Sequence, residues 1–153
     1  MFQKNDLVIL IKDNIKLLQE LDQDIKINFI HNNKQLFFNG DKEQLSRVFL
    51  NLIKNSIESI QQKTTKVNNF NKKITIELND LDDHISFIIN DNGIGFKNLD
   101  NNIKKILNPY FTTKKNGTGL GLSIVNKIIN DHNGQIVFIP TDNGATIKVT
   151  FTK

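Results

Sequence analysis

The sequence predicts an α+β two-layer sandwich, with three main helices on one face of a mixed, mostly antiparallel sheet of about five or more strands. Three segments carry apolar residues at helical spacing. The segments around them alternate apolar and polar residues, as strands with one buried face do. The length of 153 residues fits one domain with a sizeable core, and no linker divides residues 1–153.

Composition excludes several classes of protein. The chain has no cysteine, which excludes disulfides, thiolate metal sites and cysteine nucleophiles. The formal charge is +4, but the excess is lysine spread along the chain, with Arg47 the only arginine. We therefore expect no nucleic-acid partner. Because no signal peptide or apolar run of membrane-spanning length is found, we expect a cytoplasmic fragment without direct membrane contact.

The first elements of the chain are predicted to be a helix and a hairpin. A short extended start leads into an amphipathic helix capped near Asn5 or Asp6. Residues 25–30 and 35–38 then alternate apolar and polar positions on either side of the turn-forming residues 31–33. This pattern predicts that the two segments pair as a β-hairpin.

The strongest helical pattern covers about residues 42 to 61. Asp41 is the predicted N-cap, with Gln44 three residues later as in a capping box. The helix has a wide apolar face, and at about 100° per residue one polar stripe borders it. This stripe carries Arg47, Asn51, Asn55 and Glu58. These four side chains can therefore face one ligand together.

The second half of the chain predicts two strand pairs and a third helix. The strands cover residues 74–78, 85–89, 136–139 and 146–151. The helix runs from Leu120 to about His132 and ends in a left-handed cap at Asn133-Gly134. Between Phe96 and Gly119 the chain has little periodicity, and a segment of that length is typical of a functional loop.

A glycine-rich segment precedes the third helix. Gly117, Gly119 and Gly121 alternate with other residues and permit close approach of the backbone to a ligand. The unpaired amides and the dipole of a helix N-terminus favour an anion there, most often phosphate. Taken alone, the run fits an ordinary tight turn equally well, so the rest of the chain has to supply the other parts of a nucleotide site.

Five motifs, in order, resemble the N box, first glycine box, F box, second glycine box and last glycine box of the histidine-kinase catalytic and ATP-binding domain. They are Asn51-x-x-x-Asn55, Asp91-x-Gly93-x-Gly95, Pro109-Tyr110-Phe111-Thr112-Thr113-Lys114, Gly117-Thr118-Gly119-Leu120-Gly121-Leu122 and Gly144-Ala145-Thr146. The resemblance covers essentially the whole chain and is greatest to the nitrogen-regulation class of sensor kinases. It implies the Bergerat-type fold shared with gyrase and the mismatch-repair ATPase, with ATP under a lid at about residues 96–118.

The resemblance also implies roles for single residues. Asp91, at a strand end, accepts a hydrogen bond from the adenine amine, and Thr146 on a neighbouring strand assists through water. Asn55 offers an amide oxygen suited to Mg²⁺, which also binds ATP phosphate oxygens. Lys114 or Lys115 contacts phosphate from the lid, and Lys114 is favoured because it ends the F-box motif. Both glycine boxes, Gly93 and Gly95 together with Gly117 to Leu122, bind the nucleotide.

Two positions on the predicted second helix bear on the reaction. Related ATPases and stand-alone serine kinases usually carry a glutamate base where this chain has Asn51. Since asparagine cannot take a proton, we expect poor ATP hydrolysis and transfer to a nucleophile that is already competent, such as a neutral imidazole. Many histidine kinases carry a lysine where this chain has Glu58. Glu58 can orient a metal-bound water, pair with Arg47 or help position the acceptor histidine.

The three histidines, His31, His84 and His132, lack the sequence context of a phosphoacceptor. The resemblance therefore implies the catalytic half of a sensor kinase, a monomeric fragment of a homodimeric parent. Its partners are the dimerisation and histidine-phosphotransfer helices of that parent and, indirectly, a response regulator. Two alternatives stay open: a stand-alone serine kinase of the anti-sigma type, and a nucleotide-sensing interaction module without turnover.

Overall fold

The computed structural model describes residues 1–67, 69–95 and 121–153, and in these ranges it contains seven strands and three helices. The elements are β1 (Phe2–Asp6), α1 (Leu7–Gln19), β2 (Lys26–His31), β3 (Phe37–Asp41), α2 (Lys42–Thr64), β4 (Lys73–Asp80), β5 (His84–Asp91), α3 (Gly121–Asp131), β6 (Gly134–Pro140) and β7 (Ala145–Thr152). None of the helices described is both long enough and apolar enough to cross a bilayer.

Five of the strands form the main sheet, in the order β2-β4-β5-β7-β6. β2 and β4 run parallel, and the other neighbouring pairs are antiparallel. Alternate residues of β4, β5 and β7 are buried, and they form one core with the apolar faces of the helices. The prediction of a mixed, mostly antiparallel sheet covered by three helices is confirmed.

The predicted hairpin between residues 25–30 and 35–38 is wrong. β2 pairs in parallel with β4, with Lys26 opposite Lys73. β3 instead pairs with β1 in a separate two-stranded sheet. β3 also packs away from β2: the ring of Phe38 on β3 lies 4.9 Å from that of Phe151 on β7, which is not a neighbour of β2 in the sheet. Alternation identifies a strand, whereas its partner depends on distant segments.

Both predicted helix N-caps form, and the structure selects Asp6 for α1. Asp6 Oδ1 accepts a hydrogen bond from the N–H of Val8 at 3.0 Å, and Asp41 Oδ1 accepts one from the N–H of Gln44 at 3.0 Å. These bonds satisfy amide donors that a helix leaves unpaired at its start. They fix the residues at which α1 and α2 begin. The start of α2 in turn fixes the position of its polar stripe.

His132 joins the end of α3 to the start of α2. Its side chain is 2% exposed. Nδ1–H donates to the carbonyl of Ile128 at 2.7 Å, and Nε2 accepts from the N–H of Asp41 at 3.0 Å. The ring of Phe2 stacks on the imidazole at 4.6 Å. Asn133 follows with φ of 59°, which confirms the left-handed cap. His132 thus has a structural role.

Candidate functional site

Asp91 ends the central strand β5 and is only 4% exposed. Its Oδ1 accepts a hydrogen bond from the N–H of Gly93 at 2.9 Å. Burial raises the pKa of Asp91 to about 6, while the N–H of Gly93 and, less strongly, the hydroxyls of Ser56 and Ser59 and the N–H of Ala145 act to lower it. A buried carboxylate of this kind is a strong acceptor for a donor that a ligand brings.

Close backbone packing encloses the turn after Asp91. A Cβ at Gly93 would overlap Ser59 on α2, at 2.5 Å from its carbonyl carbon, so α2 can approach the turn only because residue 93 is glycine. Gly95 and Gly144 have φ of 70° and 94°, values that favour glycine. A Cβ at Gly144 would meet the carbonyl of Asp91, and one at Gly95 would meet Gly144. The first and last glycine boxes therefore pack against each other around Asp91.

The polar stripe lies on α2, the helix that packs against this turn through Ser59. Asn51, Asn55 and Glu58 are half-buried, whereas Arg47 is exposed. Among the described residues, no group of three or more His, Cys, Asp or Glu side chains could hold a metal by itself. The amide oxygen of Asn55 fits Mg²⁺, which binds hard oxygen ligands and shares its coordination with water and phosphate oxygens.

The second glycine box falls mostly outside the described ranges. Lys114 and residues 117–120, which include Gly117, Thr118, Gly119 and Leu120, are among the residues that the structure does not describe. Gly121 is the first residue of α3, and a Cβ added there would meet no atom of the described residues within 4 Å. Leu122 is partly buried against the core.

The structure does not bring Thr146 to Asp91, which corrects the predicted water-mediated contact with the base. Thr146 lies opposite Asn90 in the β5–β7 ladder, and its hydroxyl accepts a hydrogen bond from the Asn90 amide at 2.6 Å. Successive side chains of a strand point to opposite faces of the sheet. Thr146 and Asn90 therefore lie on the face away from Asp91, and Ala145 is the β7 residue beside it.

Sequence reasoning missed Lys63 and Asn92. Lys63 Nζ donates to the carbonyl of Asn92 at 2.9 Å and lies 4.6 Å from the ring centre of Phe70. The side chain of Asn92 accepts from the N–H of Lys73 at 2.9 Å and donates to the carbonyl of Asn71. These contacts tie the turn after Asp91 to α2 and β4. The signal was the place of Lys63 one helical turn after Ser59, on the side of α2 that faces the turn.

Known proteins resemble this chain over nearly its whole length. Residues 40–153 match the family described as histidine kinase-, DNA gyrase B- and HSP90-like ATPases. A putative NtrY-like sensor histidine kinase of Rickettsia prowazekii is 36% identical over 151 residues, covering 98% of this chain and 24% of that protein. The signal transduction histidine-protein kinase AtoS of Escherichia coli is 34% identical over 139 residues, covering 88% of this chain and 21% of that protein.

The chain thus spans about a quarter of the length of these curated relatives. Among solved structures, the nucleotide-free catalytic domain of histidine kinase ThkA is 31% identical, with a TM-score of 0.84 over 100% of this chain and 96% of that one. ThkA in complex with the response regulator TrrA is 29% identical, with a TM-score of 0.79 over 99% of this chain and 42% of that one. The likeness to ThkA confirms the predicted fold class.

Proposed function

This chain belongs to the family of histidine kinase-, DNA gyrase B- and HSP90-like ATPases, and we propose that it is the ATP-binding catalytic domain of a two-component sensor histidine kinase. The observation that carries this proposal is the buried carboxylate of Asp91, enclosed by the glycines of two motifs and adjacent to α2. The reaction proposed is transfer of the ATP γ-phosphoryl group to a histidine on a separate helical-hairpin domain.

Asp91 provides recognition of the base. Its carboxylate accepts a hydrogen bond from the exocyclic amine of adenine, whereas the carbonyl that guanine carries at the same ring position has no proton to donate. A hydrogen bond to a charged group contributes about 1.5–3 kcal/mol, which corresponds to about one to two decades in affinity. The first glycine box, Gly93 and Gly95, keeps the turn close enough to α2 and β7 for this contact.

The stripe on α2 serves the phosphates. Asn55 is the residue that would hold Mg²⁺, which supplies positive charge beside the phosphate oxygens when bound. Lys114 and the segment from Gly117 to Leu122 are proposed to bind the phosphates as well. Asn51 cannot act as a general base, so the nucleophile has to arrive unprotonated. A neutral imidazole nitrogen meets this condition, and attack on the γ-phosphorus releases ADP.

The acceptor and the partners belong to the parent protein. We propose that the domain receives its acceptor histidine from dimerisation and phosphotransfer helices of a homodimeric kinase, which passes the phosphoryl group to a response regulator. The fragment itself is proposed to be monomeric and cytoplasmic. In support, a relative, ThkA, is known in complex with a response regulator.

The test combines binding with transfer. Calorimetry with and without Mg²⁺ measures ATP binding, and incubation with a helical-hairpin acceptor domain from an NtrY-like relative measures phosphoryl transfer. We expect micromolar binding and an acid-labile phosphohistidine on the acceptor. Acid-stable phosphoserine would instead favour the anti-sigma type of serine kinase. Binding without transfer would favour a nucleotide-sensing module, and absence of ATP binding would refute the proposal.

A further inference from the structure

Lys63 is linked to the carboxylate of Asp91 through a single peptide unit. Its ammonium donates to the carbonyl oxygen of Asn92 at 2.9 Å. The N–H of the same peptide unit, that of Gly93, donates to Asp91 Oδ1 at 2.9 Å. Hydrogen bonds in such a chain polarise one another. The positive charge of Lys63 therefore strengthens the hydrogen bond that Asp91 accepts from Gly93, although Lys63 and Asp91 form no direct hydrogen bond.

Contacts on both sides hold this relay in place. The ring of Phe70 lies 4.6 Å from the ammonium of Lys63, at cation–π distance, so the charge is held at the end of α2. The peptide unit is fixed through the side chain of Asn92, which accepts the N–H of Lys73 at 2.9 Å. The Asn92 N–H also donates to the Lys73 carbonyl at 3.3 Å. The relay is thus built into the junction of α2, β4 and β5.

Among the described residues, no cation other than Lys63 is joined to Asp91 by a chain of hydrogen bonds. From α2 come the uncharged hydroxyls of Ser56 and Ser59, with the acidic Glu58 between them in sequence. From β7 comes the N–H of Ala145. Lys73, at the start of β4, meets the turn through its backbone, and its side chain is exposed. Within these ranges no salt bridge to Asp91 is formed.

We propose that Lys63 is a positioning residue for base recognition, which holds Asp91 as an ionised acceptor through the peptide unit between Asn92 and Gly93. This inference rests on the proposed function, because the acceptor matters only when a nucleotide base is bound. The relay opposes the effect of burial, which favours the protonated acid. A structural role for Lys63 alone would leave the protonation of Asp91 unchanged.

The first measurement needs no nucleotide. The titration of the Asp91 carboxyl carbon is followed by ¹³C NMR in the parent, Lys63→Met, Lys63→Arg and the matched control Lys54→Met, whose lysine is exposed on the same helix. We expect the midpoint in Lys63→Met to move up by about one pH unit. The other two variants should titrate like the parent. An unchanged midpoint in folded Lys63→Met overturns the inference. Lys63→Gln replaces it if the methionine variant fails to fold.

The second measurement is ATP binding by calorimetry at pH 8 and pH 6. The pKa of Asp91 is about 6 in the parent, and we expect it to be about one pH unit higher in Lys63→Met. The variant should then bind ATP nearly as tightly as the parent at pH 8 and about fivefold more weakly than the parent at pH 6. An equal loss at both pH values would indicate a structural role and overturn the inference, while the proposed function stands. If the parent binds no ATP at either pH, the proposed function fails, and with it the link of the relay to base recognition.

Discussion

Replacing Asp91 with asparagine should weaken ATP binding without weakening the fold. The carboxyl of Asp91 is buried, and its pKa is raised from 3.8 to about 6 by that burial. This difference of about two units costs the folded state roughly 3 kcal/mol when the group is ionised. Because the folded pKa is the higher one, the folded state carries none of this cost below pH 3.8, and the corresponding stability is lost as the pH rises through 6. Asparagine removes the charge and keeps an oxygen for the N–H of Gly93.

The assay compares urea unfolding of the nucleotide-free parent and Asp91→Asn at pH 5 and pH 8. The variant should gain roughly 1–2 kcal/mol over the parent between these two pH values, because the remaining cost of ionisation falls in that range. At pH 8 its ATP affinity should be at least about tenfold lower, as expected for loss of a charged acceptor. A pH-independent difference in stability would refute the burial argument. Unchanged ATP affinity would refute the assignment of Asp91 to the base.

Three further predictions concern other parts of the site and its supports. Asn55→Ala should abolish Mg²⁺-dependent phosphoryl transfer while ATP binding without Mg²⁺ is largely kept; equal transfer by variant and parent would remove Asn55 from the metal site. Gly93→Ala should lower the free energy of unfolding by about 2 kcal/mol or more, because its Cβ overlaps the backbone of α2. Gly121→Ala, whose Cβ would meet no atom of the described residues within 4 Å, should unfold like the parent in the same urea titration. His132→Phe should cost about 1–3 kcal/mol, since the partly buried N–H of Asp41 loses its acceptor; a melting temperature equal to that of the parent would contradict this.

Local chemistry explains which elements of the fold could be predicted. The starts of α1 and α2 follow from Asp6 and Asp41, whose side chains bond amides two and three residues away. The pairing of β2 could not be predicted in the same way. Its partner β4 begins 47 residues after Lys26, at Lys73, and in the parallel register Ile27 and Phe29 of β2 pack, partly buried, against the core. Periodicity reports which face of a strand is buried and carries no information on its neighbour.

The same distinction applies to the site. The spacing of Asp91, Gly93 and Gly95 predicts a turn at a strand end, and the structure has that turn. The prediction for Thr146 was wrong because successive residues of β7 lie on opposite faces of the sheet, and Ala145, one residue earlier, is the residue opposite Asp91. The spacing of Lys63 from Ser59 indicates which side of α2 it lies on, but its partner could not be predicted, since that partner is a backbone carbonyl that any residue would supply.

The core face of α2 makes the cost of Asp91 tolerable. Full burial of one large aliphatic or aromatic side chain stabilises a fold by about 1.5–3 kcal/mol. The ionised carboxylate costs roughly the same amount. On the side of α2 toward the core, the buried apolar residues are Leu45, Val48, Phe49, Leu52, Ile53, Ile57 and Ile60. Burial of one of these side chains therefore offsets the free-energy cost of the ionised Asp91 carboxylate, which α2 approaches through Ser56 and Ser59. Ser56 is itself buried on this side of the helix, so the hydroxyls that face Asp91 and the apolar residues share one face of α2. The packing that anchors α2 in the core therefore also places Ser56 beside the carboxylate.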